Sequence, residues 1–379
     1  MRYLFAGGGT GGHIYPALSL AQALTELDPD AEFLFVGSQR GLEKTIIPKY
    51  GYALRYLDIQ ALQRRLSWDT LVTLWKAIGA LRTSRRLITD FQPDVVIGTG
   101  GYVSGPPVLV ASWMRVPIVL QEQNALPGVT TKLLFPKADA VLLGYGVAQN
   151  RLSSNKGAHR ASVYVTGNPI RADIGRVTRE EGCRQLGLDP QKLTLLVFGA
   201  SQGSRAINNT FFTVWQKLAL RSDLQVLWQT GESQFATIKE RLPQVEAAEP
   251  GLIRYGNLQL RAYIHEMPAA LACADVVVSR AGAISLAEIT AKGLPSVLIP
   301  LPTAAENHQE HNARALEKAG AALVLLEKDL APDVLFEKIL LMVENTSLRQ
   351  QMAEASKKLG KPEAAQNGAQ IILNLATRR

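Results

Sequence analysis

Five glycines crowd into six positions near the start of the chain, Gly7, Gly8, Gly9, Gly11 and Gly12, and His13 follows them directly. A short apolar strand, Tyr3 to Ala6, leads in, and an amphipathic run opens near Pro16. Glycines at a strand-to-helix turn admit positive φ and let a ligand approach the backbone, while the helix N-terminus offers unpaired N–H groups to an anion. The first chemistry this suggests is a phosphate cradle. Gly7, Gly9 and Gly12 fit G-x-G-x-x-G, a weak signal when it stands alone. Histidine titrates near neutrality, so His13 reads either as an acid or base facing a ligand or as a polar cap.

Two further glycine turns follow apolar strands, GTGGYVSGP from Gly98 and GASQGS from Gly199, with Tyr102, Ser104 and Ser201 as possible donors. No G-x-x-x-x-G-K-[ST] occurs, which argues against a P-loop. A nicotinamide site wants an acidic residue at the end of the second strand. Val36-Gly37-Ser38-Gln39-Arg40 has none there, although Arg40 suits a 2′-phosphate and keeps an NADP-dependent oxidoreductase as the alternative. Three glycine turns favour two phosphorylated ligands instead. The carboxylate placed to hold a ribose is Glu288, in the first turns of a helix opened by Gly282, where simple helix-charge complementarity is the plainer account. Gln121-Glu122-Gln123-Asn124 and Thr166-Gly167-Asn168-Pro169-Ile170-Arg171 add polar groups, with Arg171 as a diphosphate clamp. His308 and His311 have helical metal spacing but no evident third ligand, so a polar, sugar-facing helix start is preferred. Asp28-Pro29-Asp30 spells D-x-D but falls between a helix and a strand, as a surface turn does.

The elements that must position these groups form a pattern of short β-branched runs alternating with longer helical ones, which predicts βαβ units and parallel sheets covered on both faces. Strands are predicted at Arg2 to Ala6, Glu32 to Val36, Asp94 to Ile97, Ile118 to Gln121 and Ala140 to Leu143. After a polar stretch the pattern restarts at Leu193 to Phe198, Leu224 to Trp228, Leu252 to Tyr255, Asp275 to Ser279, Ser296 to Ile299 and Ala322 to Leu326. The halves echo each other: YLFAGGGTGG against LLVFGASQGS, and PDVVIGTGG against ADVVVSRAG. The fold class expected is α/β, two Rossmann-like doubly wound domains facing a cleft. The domains are 1–161, 162–345, and a C-terminal helical segment, 346–379, returning to the first.

With 379 residues, 47% hydrophobic and 20% charged, the chain has ample apolar surface to bury in two such domains. The excess of 41 Lys and Arg over 33 Asp and Glu gives +8, which suits nucleic acid, anionic membrane or phosphorylated substrates without choosing among them. Two distant cysteines, Cys183 and Cys273, point to a reducing compartment. No signal peptide and no apolar run near 18 residues is visible, so a cytosolic protein, at most lying on a membrane, is expected.

The motifs GGTGGHIYPALSLA, GTGGYVSGP, QEQNALPG, TGNPIR, SQGS, RAGAISLAE and NHQEHNA, in this order, closely resemble the MurG family of N-acetylglucosaminyltransferases. The resemblance spans nearly the whole chain. It implies a GT-B fold and inverting transfer of N-acetylglucosamine from UDP-N-acetylglucosamine to the 4-hydroxyl of undecaprenyl-diphospho-N-acetylmuramyl-pentapeptide (lipid I). No metal or other cofactor and no nucleic-acid partner is implied, and the chain would work at the cytoplasmic face of the bacterial cell membrane. Carried over by position, donor binding falls on Thr10, Gly11, Gly12, Asn124, Arg171, Ser201, Ile264, Ala283, Ile284, Ser285, Leu286, Ala287, Glu288 and Gln309. Glu288 would hold the ribose and Ile264 lie against uracil; Ser201 and Arg171 would meet the diphosphate, and Asn124, His308, Gln309 and Asn312 the sugar. Two departures stand out: Ala200 where the family usually has glycine, and His308 where some relatives have glutamine. The base is assigned to His13, with Glu122 behind it, so Gly9 to His13 becomes the acceptor-side wall rather than a nucleotide cradle. Arg64 to Arg86, RRLSWDTLVTLWKAIGALRTSRR, sets Trp68, Leu71, Trp75, Ile78 and Leu81 at helical spacing among basic residues. It reads either as a membrane-surface contact or as a helix packed on the first sheet.

Overall fold

The computed structural model describes residues 1–39, 41–59, 68–153, 161–200, 202–243 and 247–378. They form two compact units, Met1–Arg171 with Glu363–Arg379, and Ala172–Pro362.

The first unit is built on seven strands: β1 (Arg2–Gly7), β2 (Glu32–Ser38), β3 (Ala53–Leu57), β4 (Val95–Gly100), β5 (Ile118–Glu122), β6 (Ala140–Leu143) and β7 (Ser162–Tyr164). They pair in the order β3-β2-β1-β4-β5-β6-β7, all parallel. β1 shows why a near-continuous apolar run serves such a strand. Tyr3 and Phe5 enter the core under the helices Gly11–Leu27 and Ala364–Ala376, and Leu4 and Ala6 enter the opposite one.

The second unit has eight strands: β8 (Leu193–Phe198), β9 (Leu224–Gln229), β10 (Ala247–Glu249), β11 (Leu252–Tyr255), β12 (Leu258–Arg261), β13 (Val276–Ser279), β14 (Ser296–Leu298) and β15 (Ala322–Val324). Their order is β10-β11-β12-β9-β8-β13-β14-β15, antiparallel only along β10-β11-β12. The repeated sequence pairs fall on equivalent strands. β1 and β4 in one sheet, β8 and β13 in the other, flank the point where strand order reverses, and α/β sheets bind ligands beyond the C-terminal ends of such strands.

Two edges differ from the sequence reading. β7 begins at Ser162 and pairs with β6, so the first sheet runs past residue 161. The helix Thr346–Leu359 stays on the second unit's helices Ala283–Ala291 and Pro332–Glu344, and only Ala364–Ala376 packs against Gly11–Leu27.

Candidate functional site

In the first unit the turns after β1 and β4 lie side by side, with Gly7 paired to Gly100. His13 sits half-buried in the first turn of the helix Gly11–Leu27, and its Nδ1 lies 3.0 Å from the Gly8 carbonyl. A carbonyl only accepts, so Nδ1 carries a proton, and in the neutral ring the lone pair then lies on Nε2. Gly100 (φ 101°) and Gly101 (φ 75°) close on the ring; a Cβ at Gly100 would stand 3.1 Å from Nε2. Thr10 precedes the helix without a side-chain cap bond, so Thr10, Gly11 and Gly12 present the free start of that helix.

The glycine turn is nevertheless not an open phosphate cradle. Gly9, at φ 86°, donates its N–H to Glu43 Oε2 at 2.9 Å. Glu43 Oε1 accepts from the Ser38 N–H at 2.7 Å and the Ser38 hydroxyl at 2.8 Å, and the side chain is wholly buried. Sequence reading finds no acid directly after β2. The acid arrives a few residues later and turns inward, onto the glycine turn. The signal that could have found it is Gly37 and Gly41 flanking a lone acid at a strand end.

Glu122 is buried too. Its Oε1 accepts from the Asn124 N–H at 3.0 Å and side-chain amide at 3.3 Å, and its Oε2 from the Gly128 N–H at 3.0 Å. It shapes the loop that carries Asn124. Asn168 of TGNPIR joins the same polar layer, donating to the Gln123 carbonyl at 2.9 Å and accepting from the Gln121 amide at 3.3 Å. Gln123 in turn donates to the Thr99 carbonyl at 2.7 Å. Arg171 is half-buried at the end of this unit.

In the second unit the turn after β8 contains Ser201, which lies outside the described residues, as Arg40 does. Its neighbour Ala200 adopts φ 64°, the left-handed conformation that explains a family preference for glycine. Gln229, buried at the end of β9, bridges two site segments: its Nε2 donates to the Ala200 carbonyl at 3.0 Å and its Oε1 accepts from the Ile264 N–H at 2.9 Å. Gly203 and Gly231 let their turns touch, since a Cβ on Gly203 would lie 2.0 Å from the Thr230 carbonyl oxygen. Ile264 is 1% exposed and its N–H is held by Gln229.

Beyond β13, the helix Ala283–Ala291 starts at Gly282 with no side-chain cap. Leu286 N–H closes the first turn on the Gly282 carbonyl, so the amides from Gly282 to Ser285 lack intrahelical partners. Glu288 is half-buried in the second turn, and Ala283 and Leu286 face the core. Two residues of the helix His308–Lys318 hold the turn in front. Gln309 Oε1 accepts from the Ala281 N–H at 3.2 Å and the Leu301 N–H at 3.0 Å, while the wholly buried Asn312 donates to the Ala281 carbonyl at 3.4 Å. His308 Nδ1 lies 2.7 Å from the Ala305 carbonyl, closing the turn that starts its own helix. Arg280, unremarked in the sequence, is buried, donates to the Ile299 and Pro300 carbonyls at 3.1 Å each and pairs with Glu327. Asp28 of D-x-D accepts from the Tyr3 hydroxyl at 3.2 Å and pairs with the N-terminus at 3.0 Å, a structural post.

Residues 3–143 match the glycosyltransferase family 28 N-terminal domain, and residues 194–367 match the glycosyltransferase family 28 C-terminal domain. The whole chain is similar to the UDP-N-acetylglucosamine–N-acetylmuramyl-(pentapeptide) pyrophosphoryl-undecaprenol N-acetylglucosamine transferase of Desulfitobacterium hafniense strain Y51, 43% identical, covering 99% of this chain and 100% of that one. It is 42% identical to the same-named protein of Caldanaerobacter subterraneus subsp. tengcongensis, covering 98% and 99%. Among solved structures, Acinetobacter baumannii MurG aligns with a TM-score of 0.73 at 26% identity, over 98% of this chain and 99% of that one.

Proposed function

The chain belongs to the UDP-N-acetylglucosamine–N-acetylmuramyl-(pentapeptide) pyrophosphoryl-undecaprenol N-acetylglucosamine transferases of glycosyltransferase family 28, and from this we infer the reaction it performs. It is a GT-B glycosyltransferase that moves N-acetylglucosamine from UDP to the 4-hydroxyl of the N-acetylmuramyl-pentapeptide carried on diphospho-undecaprenol, with inversion. The observation that carries the site reading is the uncapped helix start at Gly282 with Glu288 one turn further on. Amides from Gly282 to Ser285 meet the diphosphate, Glu288 holds the ribose, and the segment at Ile264 lies against uracil. Ser201, Arg171, Thr10, Gly11, Gly12, Asn124 and His308 complete the donor contacts. Gln309 offers its amide nitrogen, since its oxygen is already held by backbone. Asn312 and Leu286, being buried, act as supports.

The acceptor oxygen attacks C1 of the sugar as the bond to the diphosphate breaks. His13 Nε2 takes the hydroxyl proton, and the departing UDP keeps the electron pair, its charge stabilised by helix amides and Arg171. Glu122 supports the Asn124 loop. The buried Glu43, which opens the helix after β2, works against a dinucleotide reading, because the acid points at the glycine turn instead of a ribose site.

The purified protein is expected to release UDP from UDP-N-acetylglucosamine only when lipid I is supplied, and to leave NADPH unbound in calorimetry. Binding of the sugar nucleotide with no turnover on any lipid-linked acceptor would make the protein a sensor instead.

The same reading includes contact with an anionic membrane surface, since the acceptor is lipid-linked. Residues 64–67 and the side chains of Trp68, Leu71 and Trp75 lie outside what the structure describes. In the helix Trp68–Phe91, Ala80, Ser84 and Ile88 face inward while Arg82, Arg85 and Arg86 are exposed. The next helices in packing, Gly105–Trp113 and Val129–Leu134, expose Trp113 (61%) and Leu133 (71%). No helix among the described residues is long and apolar enough to cross a membrane. Sedimentation with phosphatidylglycerol vesicles is expected to fall at least fivefold in the Trp113→Ser, Leu133→Ser double variant; unchanged binding would remove this surface from the reading.

A further inference from the structure

We propose that Glu43 is a positioning residue for the transfer, acting on His13 through the single peptide group between Gly8 and Gly9. The proposal rests on the reading of His13 as the base. The N–H of that peptide belongs to Gly9 and donates to Glu43 Oε2 at 2.9 Å. Its carbonyl belongs to Gly8 and accepts from His13 Nδ1 at 3.0 Å. All peptide bonds among the described residues are trans, so N–H and C=O point to opposite sides, carboxylate on one and imidazole on the other.

A carboxylate drawing on the N–H polarises the peptide, makes the Gly8 oxygen a better acceptor, and tightens its hold on Nδ1–H. Two consequences follow for the base. The tautomer with a lone pair on Nε2 is fixed, and the imidazolium formed when Nε2 takes the acceptor's proton is stabilised. No proton leaves Nδ1 and none crosses the peptide; the link orients and polarises. It does for His13 what a directly bonded carboxylate does for the base of a nucleophile–base–acid triad, with a peptide inserted.

The surroundings are shaped for this contact. A Cβ on Gly8, Gly37 or Gly41 would stand 2.5, 2.5 and 2.0 Å from atoms of Glu43. A free glutamate end could swing away from such a group, but this one is fixed by three hydrogen bonds. Ser38 occupies Oε1 with two donors, which leaves Oε2 for Gly9.

The test is Glu43→Gln, nearly isosteric. Its one acceptor oxygen stays with Ser38, and its amide nitrogen then faces the Gly9 N–H. With unchanged circular dichroism, kcat should fall about 10- to 100-fold, the cost usual for losing a group that orients a reactive imidazole. KM for UDP-N-acetylglucosamine should stay within about threefold, and the acid limb of the kcat/KM profile should move to lower pH, because the imidazolium has lost its support. In a His13→Ala background the same change should cost less than about threefold, since the relay then has no end. A loss of equal size in both backgrounds, or kcat within twofold of wild type, overturns the relay while leaving the base reading intact. Near-full turnover of His13→Ala itself overturns the base reading and the relay with it. Should Glu43→Gln fail to fold, Glu43→Asp keeps the charge but withdraws it from Gly9, and is expected to show the same kcat loss and His13 dependence at smaller size; its absence overturns the relay.

Discussion

Gln229 ties together two segments that the sugar-nucleotide reading needs at once, the turn after β8 and the segment at Ile264, and Gln229→Leu cuts both ties. The variant nearly conserves volume, so packing is kept and the cost is polar. The Ile264 N–H loses its acceptor inside the protein, while the Ala200 carbonyl keeps the Gly203 N–H at 3.2 Å. A buried polar group left unpaired costs about 1–3 kcal/mol. Taking about 2 kcal/mol for the Ile264 N–H sets the cost against the roughly 5–15 kcal/mol of a typical domain. The second unit should therefore still fold, with Tm lower by about 4–8 °C for a unit of this size. Function should suffer differently, through KM for UDP-N-acetylglucosamine and not through kcat. Gln229→Glu sharpens the case: one oxygen keeps the Ile264 N–H, while the other meets the Ala200 carbonyl. The folded state then favours the protonated acid and its pKa rises above the unfolded value, so this variant should gain stability as pH falls from 8 toward 5. Calorimetric melts across pH, with initial-rate kinetics, decide the matter. If Gln229→Leu melts within 1 °C of wild type with KM unchanged, the bridge is not what holds the site.

Four further outcomes are expected. Ala200→Gly relieves a left-handed alanine worth about 1–2 kcal/mol and returns about 0.4–1 kcal/mol in unfolded-chain entropy, so the second unit should melt slightly higher; a lower melting point means the Cβ is useful. Thr99 sits in the G-T-G-G motif with its hydroxyl buried and unpartnered among the described residues, so Thr99→Val should stabilise the first unit by about 1 kcal/mol, seen in denaturant melts as a higher midpoint at constant m. Burial and the neighbouring Asp28 carboxylate push the Tyr3 hydroxyl well above the ordinary tyrosine range. The stability this group adds is complete below pH 10 and is lost as pH rises beyond it, because only the unfolded chain then releases the proton; Tyr3→Phe should flatten the alkaline fall in Tm. Gln309→Glu keeps an oxygen for Ala281 and Leu301, so its Tm should match wild type while KM for UDP-N-acetylglucosamine rises at least tenfold; an unchanged KM would take Gln309 away from the ligand.

The strands that flank each switch point were legible because they are buried on both faces and therefore read as unbroken apolar runs. β3, β7, β10 and β12 were not. Leu258-Gln259-Leu260-Arg261 looks half-polar, yet Gln259 is buried, its amide held by the Leu186 carbonyl at 2.9 Å. Periodicity registers side-chain type and cannot register that a polar side chain has found a partner. The same blindness hid the site's supports. Glu43 and Gln229 match no motif, and RAGAISLAE does not show what its Arg280 holds, since each works on backbone atoms distant in sequence, whereas His13, Glu288 and the glycine turns announce themselves by local spacing. Asn312 went the other way: the family resemblance set it beside the sugar, and the structure buries it with its amide on the Ala281 carbonyl.

The two sheets meet the same need with different charge. In the first unit the oxygens that hold site backbone N–H groups belong to carboxylates, Glu43 on Gly9 and Ser38, Glu122 on Asn124 and Gly128. In the second they belong to amides, Gln229 on Ile264 and Gln309 on Ala281 and Leu301. At Gln229 the amide nitrogen donates to the Ala200 carbonyl, but at Gln309 geometry does not require the difference, because a glutamate oxygen accepts as well as a glutamine oxygen. A diphosphate does require it. Two unit charges about 4 Å apart interact by about 4 kcal/mol at the effective dielectric of a protein surface, so one carboxylate beside the Gly282 helix start would oppose most of what the helix amides contribute. In the first unit the order is reversed: the group to be stabilised is the cation that forms when His13 takes a proton, and a buried carboxylate one peptide away favours it. This distribution of charge supports the proposed assignment of nucleotide to the second unit and base to the first, independently of the glycine turns that both units share.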